Sequence, residues 1–224
     1  MEFFTEQKSL SEYLQATEAI DHENPKIRFV AKWLMDNLMK LVNEQPEAIR
    51  WTDPEIELAA ITYEFVRDRI KHSADISSGN NYWRASDVLD RREGLCYGKS
   101  HLLAALLRAN GIPSALCYQY LRLEDNDESM ESPLIIHGLN AVYFQSLDRW
   151  IRLDARGNKT GVNAEFSIDE EKLAFRVKPG LGETDLPLLM ASTDRAVMLK
   201  LKKYDRLPDL MQDLPTRIAG ASAE

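Results

Sequence analysis

From Pro25 onward, apolar residues recur at spacings of three and four: Ile27, Val30, Ala31, Leu34, Leu38 and Leu41. Such spacing lines them along one face of an α-helix and leaves the polar residues on the other. A second stripe, Ile56, Ala59, Ala60, Tyr63, Val66 and Ile70, follows Thr52-Asp53-Pro54. There an N-cap residue precedes a proline suited to the first helical position. Before these helices the pattern supports only one short helix, over Ser9–Ile20. Residues 73–94 lose periodicity, and Ser77-Ser78-Gly79-Asn80-Asn81 reads as a loop. Leu102, Leu103, Leu106 and Leu107, flanked by Ala104 and Ala105, then predict a helix from about Cys96 to Asn110 that is apolar nearly all round and therefore buried. Asn110-Gly111 supplies its C-terminal cap, and Pro113 forbids continuation. Strand patterns follow over Ala115–Leu123, Ile135–Phe144 and Trp150–Asp154, with short helices near Asp169–Val177 and Thr193–Lys203. Helices first and strands later define an α+β fold.

The chain has 224 residues, the length of one domain with a modest extension, and enough to bury a real core. Its net charge of −8 argues against nucleic acid as a partner, because phosphate binding draws on clustered Lys and Arg. The same charge argues against an anionic membrane surface. No apolar run outlasts Leu102–Leu107, far short of the roughly 20 residues that span a bilayer. The opening Met1-Glu2-Phe3-Phe4-Thr5-Glu6 lacks the basic and apolar regions of a secretory signal, so a cytoplasmic location is expected. Two cysteines do not make a disulfide framework and read as thiols in a reducing compartment. Glu124-Asp125-Asn126-Asp127-Glu128 reads as a solvated acidic loop, since the ligand order of a calcium loop is missing.

Chemistry concentrates at Arg92-Glu93-Gly94-Leu95-Cys96-Tyr97-Gly98-Lys99. Cys96 arrives at the first turn of the buried helix, where free N–H groups and the helix dipole favour a thiolate and could receive an oxyanion. Position alone still favours a packed structural cysteine, the reading given to Cys117 in mid-strand. A thiolate nucleophile needs a base, and the base an orienting group. His22 and His72 lie in polar contexts and are expected to be exposed, while His101 falls on a different face of the helix from Cys96. His137 sits in a strand. A tight turn at Ser146-Leu147 would pair Gln145 with Asp148 and Leu139 with Asp154, setting Asp154 diagonally from His137 on one face. A one-residue slip would undo this. On spacing alone, a core histidine and a turn-capping aspartate explain the two residues equally well. A zinc site from Cys96, His101, Cys117 and His137 lacks standard ligand spacing, and no phosphate loop, dinucleotide fingerprint or HExxH occurs.

Ala85-Ser86-Asp87-Val88-Leu89-Asp90-Arg91-Arg92-Glu93-Gly94-Leu95-Cys96-Tyr97, running into Leu107-Arg108-Ala109-Asn110-Gly111-Ile112-Pro113, resembles the transglutaminase-like superfamily. So do His137-Gly138-Leu139-Asn140-Ala141-Val142-Tyr143 and Arg149-Trp150-Ile151-Arg152-Leu153-Asp154. The resemblance implies a papain-like α+β core, with the cysteine-bearing helix packed on an antiparallel sheet. It implies Cys96 as nucleophile, His137 as general base and then acid, and Asp154 as the group that orients the imidazole. Trp83 and Tyr82 are oxyanion or groove candidates by location. Residues 1–75 would form a helical N-terminal part, 76–160 the catalytic core, and 161–224 an extension that packs on the core or acts as a lid. The implied activity needs no cofactor. It acts on an amide in a peptide, protein or small molecule through an acyl-enzyme, with hydrolysis favoured over cross-linking. The chain departs from the family pattern at Gly138-Leu139 after the histidine and at Ala155-Arg156 after the aspartate. The other reading is a catalytically silent binding or scaffold module of the same fold.

Overall fold

In a computed structural model, which describes residues 3–7, 9–123 and 132–219, Asn24 and Asp53 start the two N-terminal helices. Asn24 accepts from Lys26 N at 3.0 Å ahead of α1 (Pro25–Glu44), and Asp53 accepts from Glu55 N at 2.8 Å ahead of α2 (Pro54–Arg69). Each cap satisfies an N–H that the first helical turn leaves open. The stripe of α1 buries Ile27, Ala31, Leu34 and Leu38. The helix expected over Ser9–Ile20 is reduced to a 3-10 helix at Leu10–Leu14, preceded by the two-residue strand β1 (Phe4–Thr5). Backbone beyond it has partners elsewhere: Gln15 O accepts from Arg108 Nη1 at 2.6 Å and Ala19 O from Ala85 N at 2.9 Å.

After α2 comes β2 (Lys71–His72), and then, within the stretch read as irregular, a seven-residue helix α3 (Ala85–Arg91). Two turns are too few to give a readable stripe. Arg92, at φ 57°, ends α3 in the left-handed region and turns the chain into β3 (Glu93–Gly94), which pairs in parallel with β2. Cys96 is then the first residue of α4 (Cys96–Ala109), and nearly every later side chain of that helix is buried. At its end Ile112 N returns to Leu107 O at 3.0 Å around Gly111, whose φ of +80° suits glycine.

The strands β4 (Ser114–Arg122), β5 (Leu134–Phe144) and β6 (Arg149–Leu153) run antiparallel, and β7 (Thr184–Asp185) joins the edge, in the order β6-β5-β4-β7. Leu116, Val142, Phe144, Ile151 and Leu153 share one core with α1, α2 and α4. Ala115, Cys117, Leu139 and Ala141 share another with Tyr13 and Leu189, where β8 (Leu188–Leu189) pairs with β1. A third cluster gathers Tyr97, Tyr118 and Ile136 with Val197 and Leu201 of α5 (Arg195–Lys203) and Leu207 and Leu210 of α6 (Leu207–Met211). This is the α+β papain-like arrangement, a cysteine-bearing helix against an antiparallel sheet. The acidic loop Glu124–Glu128 lies outside the described residues. No helix forms at Asp169–Val177, because tertiary partners claim that backbone: Ala174 N donates to Asp154 Oδ2 at 3.2 Å, and Lys172 O accepts from Glu165 N at 3.0 Å.

Candidate active site

The first turn of α4 is fitted to leave its N–H groups free. Its N-cap is Leu95, whose side chain cannot accept a hydrogen bond, so nothing from the cap blocks the donors of the first turn. Two glycines let this turn sit close to its neighbours. A Cβ on Gly98 would fall 2.5 Å from Tyr82 O, and one on Gly138 would fall 3.0 Å from the Tyr97 ring. Tyr97 Oη donates to Ile136 O, pinning the helix start against β5 one residue before His137. Cys96 is half-buried.

The β5–β6 ladder pairs Asn140 with Leu153 and Phe144 with Arg149, so continuing it sets Leu139 opposite Asp154. This is the register that the sequence reading assumed. His137 and Asp154 are therefore diagonal neighbours, and His137 Nε2 lies 2.8 Å from Asp154 Oδ2. The other ring nitrogen is left for Cys96, which lines the same cavity as His137. Burial alone would lower the His137 pKa. The Asp154 carboxylate, the nearby Cys96 and the hydrogen bond to Asp154 outweigh burial and push it up to about 10. Asp154 is itself buried, which opposes its charge, but His137 and the N–H groups of Arg156 (3.0 Å) and Ala174 (3.2 Å) hold its pKa below the usual carboxylate range. Tyr63 Oη donates to the Asp154 carbonyl at 3.0 Å. Phe175 sets a ring edge-on to His137, with centroids 5.2 Å apart, and screens that side from water.

The remaining candidates divide. Trp83 packs in the same cluster as Cys96, whereas the Tyr82 ring lies under Arg91 against the helical core, with its guanidinium carbon 5.7 Å away. His101 is spent on structure: Nδ1 donates to Trp83 O at 2.7 Å, Nε2 accepts from Thr193 Oγ1 at 2.8 Å, and burial pushes its pKa down to about 4. Cys117 is buried in mid-strand, and burial raises its thiol well above the ordinary range. The expectation that His22 and His72 are exposed is overturned. His22 is half-buried, and the His72 side chain is only 9% exposed. His72 lines a cavity of about 270 Å³ together with Cys96 and His137. Its burial comes from the pairing of β2 with β3, two-residue strands that leave no periodic trace in sequence. Among the described residues, no group of three or more His, Cys, Asp or Glu is arranged to hold a metal. No helix among the described residues is long and apolar enough to cross a membrane.

A half-buried cysteine opening a buried helix, beside a cavity that it shares with a histidine paired to a buried aspartate on an antiparallel sheet, fits a papain-like class of protein. The chain belongs to the transglutaminase-like superfamily, whose family model matches residues 43–155. Solved structures similar to it include a candidate cysteine protease from Cytophaga hutchinsonii (18% identity, TM-score 0.48, 67% of this chain and 43% of that one). The periplasmic domain of TgpA from Pseudomonas aeruginosa is similar at 21% identity and TM-score 0.44, over 66% of this chain and 48% of that one. Red sea bream transglutaminase is similar at 14% identity and TM-score 0.44, over 61% of this chain and 27% of that one. The chain thus spans less than half the length of each. No curated protein matches it.

Proposed function

We propose that this protein is a cysteine-dependent enzyme that cleaves amide bonds through an acyl-enzyme, with water as the final acceptor. One observation carries this reading: His137, held 2.8 Å from the buried Asp154, lines one cavity with the half-buried Cys96. A histidine held protonated beside a thiol stores the proton that the leaving group needs and keeps sulfur in its nucleophilic form. In the first half-reaction, Cys96 Sγ⁻ attacks the carbonyl carbon. The charge gathers on oxygen near the free N–H groups of the α4 first turn, the C–N bond breaks, and His137 gives its proton to the departing amine. In the second, neutral His137 takes a proton from water as that water attacks the thioester. The carboxylic acid leaves and the imidazolium–thiolate pair returns. Asp154 keeps the ring oriented throughout.

The test is the rate of alkylation against pH in the full chain, read separately at Cys96 and Cys117 by peptide mass spectrometry. Cys96 should react fast below about pH 7, where an ordinary thiol, titrating near 8.5, is slow. Cys117, buried, should not react in the native state. Replacing His137 with Ala should remove the advantage of Cys96, and turnover of any substrate found should fall by roughly 10²–10⁴-fold. An accessible Cys96 that behaves as an unactivated thiol would favour a silent binding module of the same fold.

A further inference from the structure

His72 has an unusual place for a histidine. It is buried on the cavity wall shared with Cys96 and His137, and its Nδ1 is enclosed with no hydrogen bond. The nearest charge, Asp75 Oδ2, is 3.8 Å away, beyond hydrogen-bond reach. Asp75 is engaged elsewhere. Arg156 grips it with both arms, Nη1 to Oδ2 at 2.8 Å and Nη2 to Oδ1 at 2.9 Å, and Lys159 Nζ adds a contact at 3.2 Å. Two cations on one carboxylate leave this cluster of three with one net positive charge, in a chain whose overall charge is −8. Burial, aided by Arg156, Lys99 and His137 and opposed by Asp75, pushes the His72 pKa down to about 3. At neutral pH the ring therefore offers an N–H without a charge.

The group is tied to the reacting centre. Arg156 N bonds Asp154 Oδ1, and its guanidinium carbon lies 5.6 Å from the ring centre of Phe175, the residue packed on His137. Leu95, Ile135, Ile136, Met211 and Leu214 add apolar lining to the cavity, which Arg122 also borders. A buried imidazole that lines the cavity, with an enclosed Nδ1 that no acceptor pins, stands next to surplus positive charge and suits an anionic ligand. We propose that His72, Arg156 and Lys159 form a carboxylate-binding subsite beside Cys96, so that the substrate is an amide whose acyl portion also carries a carboxylate. This rests on Cys96 being the nucleophile, and it assigns His72 and Lys159 to specificity.

Binding is measured first, independently of Cys96 chemistry, by following the His72 imidazole resonances by NMR in the full chain. The probes are N-acetylglutamate α-amide, with a side-chain carboxylate, N-acetylglutamine, with a terminal one, and N-acetylglutamine amide, with none. At roughly millimolar concentrations one of the two carboxylates should shift His72, and the neutral amide should not. Which carboxylate acts tells the source. Lys159→Gln should weaken that binding by roughly threefold to tenfold, an effect that shrinks with salt. The proposal is overturned if neither carboxylate moves His72, or if the neutral compound moves it equally. The second measurement is the ratio of iodoacetate to iodoacetamide alkylation rates at Cys96, in which the thiolate displaces iodide to leave a thioether. The His137 imidazolium already favours the anion, so the change on substitution is what counts. Lys159→Gln should lower the ratio by roughly threefold to tenfold, while the charge-matched Lys40→Gln on the exposed face of α1 should not. An unchanged ratio with a reactive Cys96 defeats the subsite alone. If Cys96 is sluggish toward both reagents while His72 still binds carboxylate, the enzyme reading fails and the subsite stands.

Discussion

Both carboxylate oxygens of Asp154 face only donors: His137 Nε2 and Ala174 N at Oδ2, and Arg156 N at Oδ1. An Asn at this position has no arrangement that suits all three, because its Nδ2 must meet one N–H head-on. Asp154→Asn should therefore lower stability by about 2–4 kcal/mol, less than a fully broken buried pair, since His137 can release its proton. Cys96 alkylation near neutral pH should slow at least roughly tenfold with it. The pH dependence follows from the two shifts. The raised pKa of His137 contributes stability that is full below its unfolded value near 6.5 and is lost as pH rises through about 10. The lowered pKa of Asp154 contributes stability that is present above about 3.9 and is lost as pH falls through its folded value. Urea unfolding of the two proteins should differ most between about pH 4 and 6.5, and the gap should narrow as pH rises towards about 10. A gap that stays constant would mean that the pair is not charged as described. A helix start and a hairpin register placed Cys96, His137 and Asp154 locally in the sequence, but spacing alone left their roles open and the family resemblance supplied them. His72 could not, because residues 93–94 and 156–159 bury it from far along the chain.

Helix α4 carries a conflict between helix propensity and packing at Gly98. In an exposed helix, Gly→Ala would gain about 1 kcal/mol. Here the new methyl would sit 2.5 Å from Tyr82 O and 2.9 Å from Val88 Cγ2, and the first of these is backbone that cannot swing aside. Gly98→Ala should push the start of α4 away from residues 82–83, cost about 1–3 kcal/mol, and carry Cys96 out of reach of His137. A raised melting temperature with unchanged Cys96 reactivity would show that the close approach is not needed. At the scale of elements, long stripes and tight caps were readable: α2, α4 and the three main strands lie within a residue or two of their predicted bounds, and α1 runs three residues past the last position of its stripe, Leu41. What escaped was short. α3 and α6 have too few turns for a stripe, and β1, β2, β3, β7 and β8 are two residues each, so no alternation can show. The helix expected over Asp169–Val177 failed for another reason: that segment gives up its own hydrogen bonds to brace Asp154.

At the scale of the whole molecule, the C-terminal stretch is interlocked with the sheet and with the start of α4. β7 extends the edge of β4 through Gln119–Asp185 and Tyr120–Thr184, and Ile136 N donates to Pro215 O at 2.8 Å beside His137. Asp194 caps α5, accepts from Ala219 N at 2.8 Å, and donates its own N–H to Tyr118 Oη. Arg108, buried at the end of α4, joins three parts of the chain by donating to Gln15 O, Ser114 O and Ala191 O. If residues 160–224 were a removable lid, deleting them would raise turnover and leave the core folded. The interlocking predicts the opposite. Val197, Leu201, Leu207, Leu210 and Ile218 are all buried, and at about 1.5–3 kcal/mol for each such side chain their loss is comparable to the 5–15 kcal/mol that holds a domain together. The truncated chain should fail to unfold cooperatively and should expose apolar surface around Tyr97 and Tyr118. The milder Leu210→Ala should keep the fold at a cost of about 2–5 kcal/mol. Calorimetry of both distinguishes the cases: a sharp transition in the truncated chain, with faster alkylation of Cys96, would make the C-terminal stretch a cover on the cleft, whereas loss of the transition makes it part of the wall that positions the cysteine.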